Sequence, residues 1–305
     1  MSFKGRDVVS IRDFDRKDID QVLTTAKLME PLTKAGSELL KGRISANIFY
    51  EPSTRTRMSF EAAMLRLGGN CINITEPRTS SIDKGESLSD TLRVVENYSD
   101  LIVLRHPLEG SAKLAADLAS IPVINAGSGS EEHPTQALLD LYTIWREKGK
   151  LDGTKIAILG DLRYGRTAHS LAYALAHYDT ELFFVSPRTL RMRREVLEEV
   201  GSRIKVSETT DISTTLPNID ILYVTRIQKE RFPDLEEYQK VRGAYRITLE
   251  TLREAKTGLI VMHPLPRADE IALDVDRTSF ARYFRETWYG MVVRMALLAL
   301  VLGVV

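Results

Sequence analysis

The chain has a single cysteine, Cys71, in 305 residues, so no internal disulfide and no cysteine-built zinc cluster can form. It also lacks a charge imbalance. Lys+Arg and Asp+Glu are both 42, which supplies no general attraction for nucleic acid or an acidic membrane surface. The opening MSFKGRDVVSIRDF has no apolar segment of the kind that directs secretion. No apolar run is long enough to cross a bilayer, since the terminal run 295–305 is short and Arg294 precedes it. That run reads as a buried helix end. Internal repeats and low-complexity linkers are missing too. The expectation is a cytoplasmic protein with no nucleic-acid partner and no membrane partner.

What is present is an ordinary globular composition, 43% hydrophobic and 28% charged, and a length that suits two domains. Short, nearly continuous apolar runs alternate with amphipathic stretches. Strands are expected at Ile44–Tyr50, Cys71–Thr75, Leu101–Leu104 and Pro122–Ala126, then at Ile156–Leu159, Leu182–Val185, Ile204–Val206, Ile221–Val224 and Leu259–Met262. Helices are expected at 13–30, after Ser53, at Leu88–Tyr98, Leu114–Leu118, Pro134–Lys148 and Ser279–Val305. This is the pattern of parallel sheets covered on both faces. The fold class is α/β, two doubly wound parallel-sheet domains. Counting strands puts a boundary near residue 133.

One stretch organises the rest, Phe49–Leu67, FYEPSTRTRMSFEAAMLRL. Glu51-Pro52 stops a strand. Ser53 and Thr54 then stand where a helix N-cap belongs. Apolar groups at Met58, Phe60, Ala62, Met64, Leu65 and Leu67 form the expected helical stripe. Arg55 and Arg57 fall in the first turn, where the helix dipole prefers acids. A solvated cap explains the hydroxyls but not the arginines. Backbone N–H groups, hydroxyls and guanidinium groups together suit a phosphate dianion.

Ligands of α/β sheets bind at the carboxyl ends of strands. Arg105, His133, the run Gly160-Asp161-Leu162-Arg163-Tyr164-Gly165-Arg166, Arg226 and His263 all follow expected strands. Singly, each is most simply a solvated or satisfied polar residue. Together, in a neutral protein, they point to a polyanionic ligand. Gly160–Gly165 does not meet G-x-G-x-x-G and reads as a sharp turn. Cys71 reads as a buried apolar residue in a strand.

Ser53–Arg57 followed by SFEAAMLRLGGN resembles the carbamoyl-phosphate signature of the aspartate/ornithine carbamoyltransferase family. Lys84-Gly85-Glu86, Arg105-His106-Pro107, His133-Pro134-Thr135-Gln136, Gly165-Arg166-Thr167 and His263-Pro264-Leu265-Pro266-Arg267 resemble its other blocks, in order and over nearly the whole chain. Ornithine-specific members typically carry Cys in place of Pro264 and an acidic Asp-x-x-x-Ser-Met-Gly segment, both missing here. Arg166 and Thr225-Arg226-Ile227-Gln228 look like the aspartate-binding block, and a dicarboxylate needs guanidinium partners.

The resemblance implies carbamoyl transfer from carbamoyl phosphate to the α-amine of L-aspartate, a step towards UMP. It assigns residues 1–133 to carbamoyl phosphate and 134–285 to aspartate, with a C-terminal helix, 286–305, packing back on the first domain. Ser53, Thr54, Arg55, Thr56 and Arg105 fall on the phosphate, and Thr56, Arg105 and His133 on the carbonyl oxygen. Gln136 and the Leu265 and Pro266 carbonyls fall on the carbamoyl amine. Arg166, Arg226 and Gln228 fall on aspartate. Ser80 and Lys84 would come from a neighbouring subunit of a homotrimer, Lys84 also serving aspartate. A separate regulatory chain is a further implied partner. No metal and no cofactor are expected, because phosphate leaves readily once charge is stabilised. Two other readings stay open, a carbamoyltransferase acting on another amine such as ornithine, and an inactive homologue serving as an interaction module.

Overall fold

A computed structural model of the protein describes residues 2–74, 85–227, 236, 239, 241 and 243–305. The chain forms two compact units. The first comprises Met1–Tyr142 and Thr287–Val305, the second Thr143–Glu286. Both divisions fall inside helices, after Tyr142 in Pro134–Lys148 and after Glu286 in Tyr283–Val301.

The first unit holds β1 (Ile44–Phe49), β2 (Asn70–Ile74), β3 (Leu101–His106) and β4 (Val123–Ser128), all parallel in the order β2-β1-β3-β4. Its helices are α1 (Arg16–Met29), α2 (Leu32–Ala35), α3 (Thr54–Arg66), α4 (Leu88–Val95), α5 (Ser111–Leu118) and the start of α6 (Pro134–Lys148). The second unit holds β5 (Lys155–Leu159), β6 (Glu181–Val185), β7 (Lys205–Thr209), β8 (Ile221–Val224) and β9 (Ile260–Met262), parallel in the order β7-β6-β5-β8-β9. It carries α7 (Arg166–Leu175), α8 (Arg194–Gly201) and the first residues of α9 (Tyr283–Val301).

Every expected strand is found. The strands are largely apolar because helices cover both faces, and β1, β8 and β9 are almost wholly buried, Ser45 and Asn47 being the buried polar side chains of β1. Local signals start the helices. Asp15 and Asp18 close a capping box on α1, Ser87 caps α4 through the Asp90 N–H, and Pro134 occupies the first position of α6. From Val292 to Val301 only Arg294 interrupts the buried apolar side chains of α9. Each buried Val, Leu or Met among them contributes about 1.5–3 kcal/mol. Among the described residues no helix is long and apolar enough to cross a membrane.

Two local expectations are corrected. The buried stripe of α3 is Phe60, Ala63, Met64 and Leu67, an i, i+3, i+4, i+7 set. Met58 and Leu65 face outward instead, 54% and 61% exposed. β2 is an edge strand, so Cys71 is half-buried rather than buried, with its sulfur 3.3 Å from the Ser45 hydroxyl. The N-terminal segment is also structural. Val8 pairs in parallel with Ile124, donating to Val123 O and accepting from the Asn125 N–H at 2.8 Å each, and so covers the edge of β4.

Gly160, directly after β5, has φ +125°, and a Cβ there would lie 2.2 Å from the Thr225 carbonyl oxygen. Only glycine permits this close approach of two strand ends. Gly160→Ala should therefore destabilise the protein by about 3 kcal/mol and lower the melting temperature by roughly 10 °C. An unchanged melting temperature contradicts the packing described.

Candidate active site

In the first unit the strand order reverses between β1 and β3, whose carboxyl ends lie side by side, with Phe49 opposite Arg105. Such a switch point is where a doubly wound sheet leaves a crevice. The connection from β1 enters α3 there. Ser53 has extended N-cap geometry, yet its side chain makes no capping hydrogen bond, and the first turn contains no acid. Asp15 and Ser87 do cap α1 and α4. The start of α3 thus directs amide donors outward without a capping side-chain acceptor, the arrangement that favours an external anion. Thr54 and Arg55 are exposed and Thr56 is buried. Arg57 does not join them, since its guanidinium meets Glu61 at 2.9 Å one turn on.

Arg105 ends β3. Its Nε lies 3.2 Å from Glu51 Oε2, and Nη1 donates to the Ala126 carbonyl at 3.4 Å. The turn after β4 brings His133, 3% exposed, to the start of α6, with Thr135 Oγ1 3.5 Å from its Nδ1. Gln136, in the next positions, donates from Nε2 to Asp140 Oδ1 at 2.8 Å, so its Oε1 is the acceptor end of the amide. Behind these residues stands Arg294 of α9. It donates to Ser59 Oγ, which donates to the Thr56 carbonyl at 3.1 Å, and its guanidinium lies 5.0 Å from the Phe60 ring centroid. Burial, opposed by the Asp140 charge and reinforced by Arg105, pulls the Arg294 guanidinium down to about 9. It remains a cation at neutral pH.

In the second unit the order reverses between β5 and β8. After β5, Asp161 Oδ1 accepts the N–H groups of Arg163 and Tyr164 at 3.1 and 2.9 Å, the expected sharp turn. Arg166 begins α7 and is buried, 8% exposed. Arg226 follows β8 and is half-buried. It lines a cavity of about 70 Å³ with Gly160, Thr225, Tyr245 and Glu270. Leu265 and Pro266 lie after β9, joined by a cis peptide bond. Two neighbouring basic side chains are engaged internally. Arg267 pairs with Asp276 through both terminal nitrogens, and buried His263 pairs with Glu270 at 2.6 Å.

Thus Ser53, Thr54, Arg55, Thr56, Arg105, His133 and Gln136 belong to the carboxyl edge of one sheet. Arg166, Arg226, Leu265 and Pro266 belong to that of the other. Ser80, Lys84 and Gln228 lie outside the described residues. Sequence reasoning missed Glu51, Ser59, Asp140, Glu270 and Arg294, the partners that hold these groups. Only Asp140 and Arg294 carried a signal, each a charge within an otherwise apolar helical stretch.

Two doubly wound units, each with guanidinium groups at its switch point, place the chain among α/β proteins that bind anionic metabolites at strand ends. The family profile described as "Aspartate/ornithine carbamoyltransferase, carbamoyl-P binding domain" matches residues 6–146, and that described as "Aspartate/ornithine carbamoyltransferase, Asp/Orn binding domain" matches residues 152–301. The chain belongs to the aspartate/ornithine carbamoyltransferase family. It is 58% identical over 307 aligned residues to the aspartate carbamoyltransferase catalytic subunit of Thermococcus kodakarensis, covering 100% of this chain and 99% of that one. It resembles the crystal structure of the catalytic subunit of M. jannaschii aspartate transcarbamoylase, with TM-score 0.89, 52% identity, and 96% and 97% of the two chains covered. It also resembles aspartate transcarbamoylase from Trypanosoma cruzi in complex with carbamoyl phosphate and aspartate, with TM-score 0.94, 42% identity and 98% of each chain covered.

Glu132, beside His133, is 6% exposed. Its carboxylate accepts from Ser10 Oγ and, at 2.8 Å, from the Ile11 N–H. Burial outweighs these donors and pushes its carboxyl from 4.5 up to about 7. The folded protein therefore holds this proton more tightly than the unfolded chain. The resulting stability, up to about 3 kcal/mol, is fully present below about pH 4.5 and is lost as pH rises through about 7. Glu132→Gln lacks this titration, so its melting temperature relative to wild type should rise from about pH 5 to about pH 8. A difference constant across that range argues against a buried titrating Glu132.

Proposed function

We propose that the chain transfers the carbamoyl group of carbamoyl phosphate to the α-amine of L-aspartate, giving N-carbamoyl-L-aspartate and phosphate, a step of pyrimidine (UMP) biosynthesis. The observation that carries this reading is the start of α3, free of acids and of a capping side chain, beside Arg105 at the switch point of the first sheet. The Trypanosoma cruzi enzyme, crystallised with carbamoyl phosphate and aspartate, supports the substrate pair. The arginines after β5 and β8 favour a dicarboxylate over a cationic amine such as ornithine.

In this reading residues 1–133, with the returning helix 286–305, bind carbamoyl phosphate, and residues 134–285 bind aspartate. Ser53, Thr54, Arg55, Thr56 and Arg105 hold the phosphate. The aspartate nitrogen attacks the carbamoyl carbon, and a C–N bond forms as the carbonyl becomes an oxyanion. Thr56, Arg105 and His133 donate to that oxygen, stabilising charge where it develops. The C–O bond to phosphate then breaks, phosphate leaves with the electron pair, and the nitrogen loses a proton. Gln136 Oε1 and the Leu265 and Pro266 carbonyls accept from the carbamoyl amine. Arg166, Arg226 and Gln228 hold the carboxylates of aspartate.

Assay of the purified protein with aspartate and ornithine tests the reaction directly. Arg55→Ala should weaken carbamoyl phosphate about 10- to 100-fold, the loss of one charge-assisted contact. Arg226→Ala should raise the aspartate KM far more than the carbamoyl phosphate KM. Equal effects of Arg226→Ala on both substrates would show the two halves of the site to be misassigned.

The assembly in this reading is a cytoplasmic homotrimer under allosteric control, in which Ser80 and Lys84 reach a neighbour's site. A separate regulatory chain fits the name "catalytic subunit" carried by the Thermococcus kodakarensis relative. Lys84→Ala and Arg55→Ala trimers should each be inactive, yet random mixed trimers should regain about a quarter of wild-type activity. A native site then forms wherever a Lys84-variant chain supplies Arg55 and its Arg55-variant neighbour supplies Lys84. No recovery, with mixed trimers confirmed by native mass spectrometry, would assign both residues to one subunit's site.

A further inference from the structure

Residues 263–270 leave β9 between two buried carboxylates. The His263 N–H donates to Glu286 Oε2 at 3.0 Å. Glu270 closes the other end, where Oε2 accepts the Ala268 and Asp269 N–H groups at 3.0 and 3.1 Å. Glu270 Oε1 lies 2.6 Å from His263 Nε2. The imidazole also reaches forward, its Nδ1 accepting the Leu265 N–H at 2.8 Å.

That last bond decides the tautomer. A backbone N–H can only donate, so Nδ1 presents its lone pair and the proton of a neutral ring sits on Nε2, directed at Glu270. Burial raises the Glu270 carboxyl, but the hydrogen bond from His263 and the backbone donors outweigh it and hold the carboxyl below its usual range. Glu270 is therefore an ionised acceptor at neutral pH and keeps the imidazole turned towards Leu265.

Leu265 needs such support. Its φ is +55°, a left-handed conformation that a leucine rarely adopts. The His263 bond holds its amide, and its side chain packs against the core cluster of Val224, Val261 and Ile271. Among the described residues, neither the Leu265 nor the Pro266 carbonyl accepts a hydrogen bond. The loop thus presents two acceptors on a backbone fixed from behind, a preorganised site for an amine donor.

We propose that His263 is a positioning residue, whose Nδ1, oriented through Glu270, fixes the Leu265 amide and so sets the Leu265 and Pro266 carbonyls for the carbamoyl amine. This rests on the carbamoyl-transfer reading. It selects for the amine end of the substrate alone, because inorganic phosphate carries no such donor.

The test uses wild-type protein and the variants His263→Asn, His263→Gln and Glu270→Gln. Calorimetric titration with carbamoyl phosphate and, separately, with inorganic phosphate reads the selectivity. Asparagine keeps an oxygen near the position of Nδ1, whereas glutamine reaches Glu270 and leaves the Leu265 N–H without an acceptor. His263→Gln should weaken carbamoyl phosphate about 10-fold and change phosphate affinity less than about two-fold. His263→Asn should recover most of the loss. Glu270→Gln, which sets an amide against backbone donors, should show the same selective loss. Retained phosphate affinity shows that each variant is folded. Equal weakening of both ligands would make His263 a general support of the fold and overturn the proposal, as would no weakening in either His263→Gln or Glu270→Gln. Failure of the wild-type protein to carbamoylate aspartate would instead remove the reaction on which the proposal rests.

Discussion

Parallel strand pairing imposes the constraint from which the rest follows. Each connection must cross back over the sheet, so all the carboxyl ends of β1–β4 lie on one edge, and those of β5–β9 on another. The strands that build such sheets are covered on both faces and are largely apolar within their buried length, and buried polar exceptions such as Asn47, which donates to Asn73, are hydrogen-bonded inside the sheet. Polar groups collect where the strands stop. The reversal of order beside β1 and again beside β5 then parts the connections above and below each sheet, leaving room for a ligand. Ser53–Thr56 and Arg105 sit at one reversal, Arg226 at the other.

The guanidinium groups at these edges are sorted by their local partners. Arg57, one turn above a carboxylate, is drawn to Glu61, and Arg267 is held by Asp276 and Tyr283. Both neutralise charge within the fold. Arg55 and Arg166 stand in the first turns of helices, where the dipole disfavours a cation. That placement is costly alone and becomes favourable when an anion shares the helix end. Arg294 repeats the logic in the interior. It is 4% exposed, and it braces Thr56 through Ser59 while Asp140, which orients Gln136, lies within its field.

The strands were legible because most of them are short, nearly continuous apolar runs. α6 was legible end to end, with Pro134 at its first position and Gly149 just past its last. The face of α3 was misjudged, because Met58, Leu65 and the buried set are equally apolar and only the neighbouring strands select between them. The edge position of β2 was hidden for the same reason. The polar residues that the structure gathers at the strand ends could be read from residue types after apolar runs, helped by a family resemblance. Their supports could not. Arg57 and Glu61 stand at helical i, i+4 spacing, but Arg105 with Glu51 and His263 with Glu270 are separated by 54 and 7 residues, and periodicity records neither pairing.

The composition of the first unit from two separated pieces of chain bears on how the molecule is made. Thr143–Glu286 is synthesised as one uninterrupted block with its sheet and core complete, and it can fold while the ribosome is still at work. The first unit, although begun earlier, is completed only by Thr287–Val305, which supplies Arg294 behind Thr56 and the Tyr289 ring against Tyr142. Until that helix emerges, the apolar surface it covers stays open to solvent. The unit whose strands come first along the chain is thus completed by a helix that lies beyond the whole of the other unit.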